Sequence, residues 1–167
     1  MKHSRVLGFT LIELVIVIIV LGVLAAVALP KFVNLGTEAR KASLDGLKAA
    51  LISAANMANV KCQLDTSCNL LADGGMFPQT AINGQTIYFH YGYPTGWGKF
   101  HVNDGVGGVG NLVDYSGFTY QPHVSSSFLT EYTLNGAPDS SNCKVKYQMA
   151  ATNTNPILTV SVVSTGC

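Results

Sequence analysis

The sequence predicts an α+β chain in which a long amino-terminal helix, half membrane-spanning and half packed on a head, lies against an antiparallel β-sheet head. Three observations carry that reading. Residues 9–29 form an apolar run interrupted by one charge, Glu13, residues 31–60 repeat apolar side chains at spacings of three and four, and the chain beyond 60 alternates turn-formers with β-branched and aromatic stretches. The expected organisation is a membrane segment at 9–30, an amphipathic helix at 31–60 continuing into the head, and a head at 61–167.

With 167 residues the chain has room for one domain and an appendage. Hydrophobic residues make up 48% and charged residues 11%, well below the ordinary charged share of roughly a quarter, so part of the chain does not face water. Ten Lys and Arg against nine Asp and Glu leave a net charge of +1. No field of that size holds a polyphosphate, and nucleic acid is not expected as a partner. The four cysteines begin only at Cys62, a distribution that suits an oxidising compartment.

As a helix, the run at 9–29 rises about 1.5 Å per residue and spans roughly 30 Å, the thickness of a bilayer's hydrocarbon core. Lys2, His3 and Arg5 precede it with no acidic residue, so the positive-inside bias leaves the amino terminus in the cytoplasm and the rest outside. A secretory signal peptide cleaved at Ala26-Val27-Ala28 and a passive anchor are competing readings. Neither accounts for Glu13. An ionised carboxylate one turn inside an apolar run is costly, and such groups are usually paired and functional.

Gly8-Phe9-Thr10-Leu11-Ile12-Glu13-Leu14, after a short basic leader and before an apolar stretch ending at Pro30, resembles the prepilin signature of type IV pilins. The resemblance implies that a prepilin peptidase cuts between Gly8 and Phe9, that residues 1–8 are a cleaved leader, and that the new Phe9 amine is methylated. It also implies that Glu13 of an incoming subunit neutralises the Phe9 ammonium of a neighbour in the filament and so sets axial register. Phe9, Glu13 and Pro30 are the assembly residues on this reading.

Pro30 either ends the membrane helix or bends it, because proline inside a helix removes a hydrogen bond. Beyond it Phe32, Leu35 and Ala39, then Leu44, Leu47, Leu51, Ala55 and Ala58, line one face. Glu38, Arg40, Lys41, Asp45 and Lys48 occupy the other and read as a solvated surface rather than a site. In the head, Asn83-Gly84 is a two-residue hairpin signal followed by a strand at 86–91. Further strands are expected at 128–134, 144–149 and 158–163, with Val145, Tyr147 and Met149 on the face toward the helix.

Four cysteines allow three pairings, of which the local one, Cys62–Cys68 with Cys143–Cys167, is expected. The second bridge closes a loop of about 25 residues, worth roughly 3 kcal/mol of chain entropy, and also resembles the carboxy-terminal disulfide loop of the pilins. No closely paired ligand motif occurs, so no metal or cofactor is expected. His90, His101 and His123 are scattered and read as structural rather than catalytic. Gly105-Val106-Gly107-Gly108-Val109-Gly110 fits G-x-G-x-x-G without the flanking strand and helix that a nucleotide site needs, and reads as a flexible loop. Asp104 and Asp114 beside it offer calcium two carboxylates, a thin ligand set. The stretches 95–110 and 136–142 are expected to be exposed and to carry recognition.

Pro30-Lys31-Phe32-Val33-Asn34-Leu35 with Ala39-Arg40, Tyr91-Gly92-Tyr93-Pro94, and the end from Cys143-Lys144-Val145-Lys146-Tyr147 to Cys167 look like the mannose-sensitive haemagglutinin (MSHA) branch of the pilins. The resemblance implies a non-enzymatic subunit of a helical homopolymer, held in the bacterial inner membrane before assembly and extracellular in the pilus afterwards. It implies a prepilin peptidase, an assembly ATPase and an inner-membrane platform protein as partners, attachment to host or abiotic surfaces, and motility by retraction. The rival readings are a type II secretion pseudopilin forming a short periplasmic fibre and a membrane-tethered binding module that never polymerises.

Overall fold

A computed structural model describes residues 9–66, 78–96, 106–121, 129–149 and 158–167. The chain divides into two compact units, Met1–Ala39 and Arg40–Cys167, and one helix, α1 (Leu11–Leu64), contributes to both. In the first unit α1 leaves its large apolar side chains from Leu11 to Leu29 open, from Val15 at 37% exposed to Leu11 at 80%. By length and composition it is able to cross a membrane. Of the two alternatives for Pro30, an end is excluded, because α1 runs through it. The ring supplies no amide hydrogen, so the Ala26 carbonyl one turn earlier loses its helical donor.

The second unit is built on the buried stripe of α1: Leu44, Leu47, Leu51, Ala55, Ala58 and Cys62. Two sheets meet that stripe. The first contains β1 (Gln79–Ile82), β2 (Gln85–His90), β3 (Tyr93–Pro94) and β4 (Val106–Gly107). The second is the antiparallel meander β5 (Phe118–Gln121), β6 (Leu129–Leu134), β7 (Lys144–Gln148) and β8 (Thr159–Val163), in that order. A helix followed by largely antiparallel sheets is the expected α+β class.

Asn83 and Gly84 take positive φ of 52° and 77°, the paired left-handed geometry of a type I′ turn, and so join β1 to β2 in register Ile82↔Gln85. The same geometry recurs at Tyr91 and Gly92, which is why β2 stops at His90 rather than running on through Tyr91.

The glycine-rich segment departs from expectation. Its Val106–Gly107 pairs in parallel with Thr86–Ile87, Val109–Asn111 forms a 3-10 turn, and Gly107, Gly108, Val109 and Gly110 are buried. It is part of the core rather than a flexible loop, and the first sheet is mixed. A Cβ on Gly107 would fall 2.3 Å from the Asn111 side chain, so the backbone packs where only hydrogen fits. Thr95 and Gly96 are buried as well, so the described parts of 95–110 are not the exposed recognition loop expected there, whereas 136–142 is largely exposed.

Leu44, Leu47, Leu51 and Ala55 pack with the inner face of the meander, where β6 and β7 alternate strictly and bury Tyr132, Leu134, Val145 and Tyr147. Ala58 and Cys62 pack instead with Ile87 and Phe89 of β2. One helical face thus serves two sheets. Hydrogen bonds join the sheets: the Tyr147 hydroxyl donates to the Pro94 carbonyl (2.8 Å), while Thr130 and Tyr120 hydroxyls both donate to the Gly96 carbonyl (2.9 and 2.7 Å). They supply donors to the carbonyls of two buried residues, Pro94 and Gly96.

Candidate functional site

The start of α1 carries the sequence's sharpest signal. Thr10 immediately precedes the first helical residue, and its backbone N–H and hydroxyl donate to Glu13 Oε2 at 2.8 and 2.7 Å. Glu13 N donates back to Thr10 Oγ1 at 3.3 Å. These reciprocal bonds form a capping box, which satisfies donors that a helix start leaves orphaned. The Thr-x-x-Glu spacing before an apolar run is its legible signature. Reading Glu13 only as a charge awaiting a cation missed it. Within one chain the carboxylate already has partners, so its oxygen is held in place rather than left on a swinging side chain. Phe9 precedes the box and is 88% exposed; Gly8 lies outside the described residues.

A second constellation fastens the carboxy-terminal end. Cys143 and Cys167 form a disulfide with Cα atoms 5.1 Å apart, and both are buried. Arg40 Nη1 donates to the Cys167 carbonyl at 2.9 Å, Gly166 N to Asn142 O at 2.9 Å, and Asp139 N to Gly166 O at 3.0 Å. The end of the chain is therefore tied to α1 and to the loop before β7. Arg40 was expected on a solvated face; its partner lies too far along the chain for any local pattern to reveal it. Cys62 is buried against β2, and its expected partner Cys68 lies outside the described residues.

The remaining candidates are spread apart. His90 ends β2, buried, with its ring centroid 4.1 Å from that of Tyr91, while His101, His123 and Asp104 lie outside the described residues. Asp114 accepts from the Ser116 hydroxyl at 2.5 Å and the Ser116 amide at 2.9 Å, bonds that hold its carboxyl below the ordinary carboxylate value. It closes its own turn. Among the described residues no group of three or more His, Cys, Asp or Glu converges on a metal position. Lys144 and Lys146 flank Glu131 at 2.8 and 3.7 Å on the outer face of the meander, a surface ion cluster of modest energetic weight.

Residues 3–29 match the prokaryotic N-terminal methylation motif. That motif, together with the long apolar helix and the largely antiparallel head, supports a type IV pilin, a structural rather than enzymatic class. The chain is similar to the type IV narrow pilus major component PilA5 of Thermus thermophilus, with 45% identity over 65 residues that cover 39% of this chain and 56% of the relative. It thus spans a little over half the length of that relative. No solved structure matches the chain.

Proposed function

We propose that the chain is the structural subunit of a type IV pilus of the MSHA-like kind, polymerising into a helical surface filament that serves attachment and motility. The observation that carries the reading is the state of α1 from Leu11 to Leu29. Every large apolar side chain there is exposed, and the segment lies within the matched motif, just after Gly8-Phe9. Such a rod is built to be covered, first by lipid and then by other copies of itself.

On this reading the precursor sits in the inner membrane with its amino terminus in the cytoplasm. A prepilin peptidase cuts after Gly8 and methylates Phe9, and the ammonium so created meets Glu13 of another copy as an assembly ATPase and a platform protein lift subunits into the fibre. Apolar burial, at roughly 25 cal/mol per Å², supplies cohesion; the charge pair selects one axial register among otherwise interchangeable apolar rods. Contact with host or abiotic surfaces belongs to the outward parts of the head.

Amino-terminal mass analysis of assembled material, with electron microscopy of intact cells, tests this. N-methylated Phe9 in long surface fibres is the expected result. Leu29 as first residue returns the segment to a cleaved signal peptide, fibres confined to the periplasm return it to a pseudopilin, and monomers alone after crosslinking return it to a tethered binding module.

A further inference from the structure

Among the described residues, every large apolar side chain left exposed belongs to α1 or to Phe9 just ahead of it. They fall in two stretches. One runs from Phe9 to Leu35; the other is Met57, Val60 and Leu64, one stripe of α1 within the head unit. The second borders a groove of about 690 Å³, with Ala50, Ala54 and Met57 of α1 on one wall and Ile82 and Leu112 on the other. The alanines keep the helical wall shallow. From Ala50 to Lys61 that wall extends about 16 Å, three turns of helix. Two exposed charges belong to its lining, Lys61 on α1 and Asp114 opposite.

The chain contains a segment that complements this groove. Phe32 and Leu35 lie one turn apart on α1, 69% and 63% exposed, beyond the membrane-length run. Lys31 precedes them and Glu38 follows, so an apolar pair bracketed by a cation and an anion stands against an apolar groove carrying an anion and a cation. A groove matched to a different surface of the same chain makes a head-to-tail contact, which propagates as an open fibre where a self-matching patch would close as a dimer.

We propose that this groove receives Phe32 and Leu35 of a second copy of the chain, with Lys31 meeting Asp114 and Glu38 meeting Lys61. The inference rests on the reading of the chain as a filament subunit and adds a contact outside the apolar membrane run. It would align neighbouring copies by shape and charge at the head, separately from the Glu13 and Phe9 pair.

The test uses the full chain in assembling cells. Leu35→Cys and Met57→Cys are introduced singly, together in one chain, and as two co-expressed single variants, and sheared filaments are oxidised. The proposal expects a ladder of crosslinked multimers from the double variant, dimers and nothing larger from the mixed singles, and no crosslink from either single alone. Lys61→Glu is expected to cut filament yield at least tenfold, and adding Glu38→Lys to bring it back to within about twofold. Normal filaments lacking the 35–57 crosslink overturn the groove contact and leave the filament reading standing, as does a Lys61→Glu chain that assembles at full yield. Absence of filaments from the unaltered chain overturns both.

Discussion

Thr10 and Glu13 answer each other across the first turn of α1, and that exchange separates two roles that a single acidic residue could hold. Glutamine at position 13 keeps an oxygen able to accept from Thr10 N, so it preserves the capping box while removing the charge. Alanine removes both. Glu13→Ala is expected to be cleaved and inserted in the membrane normally while its filament yield drops to background, because neither step requires a countercharge. If charge is what assembly uses, Glu13→Gln fails equally; a Glu13→Gln chain that forms fibres at the normal level, counted by microscopy, assigns the residue to helix capping alone.

At the scale of elements, α1 divides its labour along its length. Before residue 40 it exposes its apolar surface; after 40 it commits Leu44 through Ala55 to the meander and Ala58 with Cys62 to β2. Leu51 sits fully buried midway along the part that meets the meander. Leu51→Ala is expected to destabilise the head by about 2–5 kcal/mol, the usual range for a buried leucine replaced by alanine. Denaturant unfolding of the detergent-solubilised chain, followed by tyrosine fluorescence, measures it. A change under about 1 kcal/mol would mean that the helix does not depend on the sheet at that point.

Across the whole molecule, the head closes around tyrosine. Tyr132 and Tyr147 are fully buried, Tyr132 with ring centroids 5.5 Å from those of Tyr115 and Tyr120. Burial is the main force pushing both phenols up, reinforced by Tyr120, Tyr147 and Tyr115 around Tyr132 and by Tyr93 beside Tyr147. A raised native pKa means that stability is fully present below the ordinary phenol value near pH 10 and is lost as pH climbs beyond it. The expected loss is about 1.4 kcal/mol per pH unit for each buried phenol. Ultraviolet titration is expected to show fewer than the seven tyrosines ionising before the fold opens, then a cooperative step; all seven ionising together near pH 10 in folded protein would contradict it.

Much of this protein follows from local rules that a sequence displays. An apolar run broken by a single charge specifies a membrane-length helix, a repeat of three and four specifies which face of α1 is buried from Leu44 on, and Asn83-Gly84 specifies a turn, because each depends on residues within a few positions of one another. The tertiary structure alone decided that Arg40 reaches Cys167, that glycines 107, 108 and 110 enter the core, that Thr95 and Gly96 are buried between the sheets, and that one helical stripe is shared by two of them. Those outcomes rest on partners many residues apart. A parallel pairing such as β2 with β4 leaves no periodic trace in a two-residue strand, and a carbonyl's buried donor is known only once the chain has folded back to bring it there.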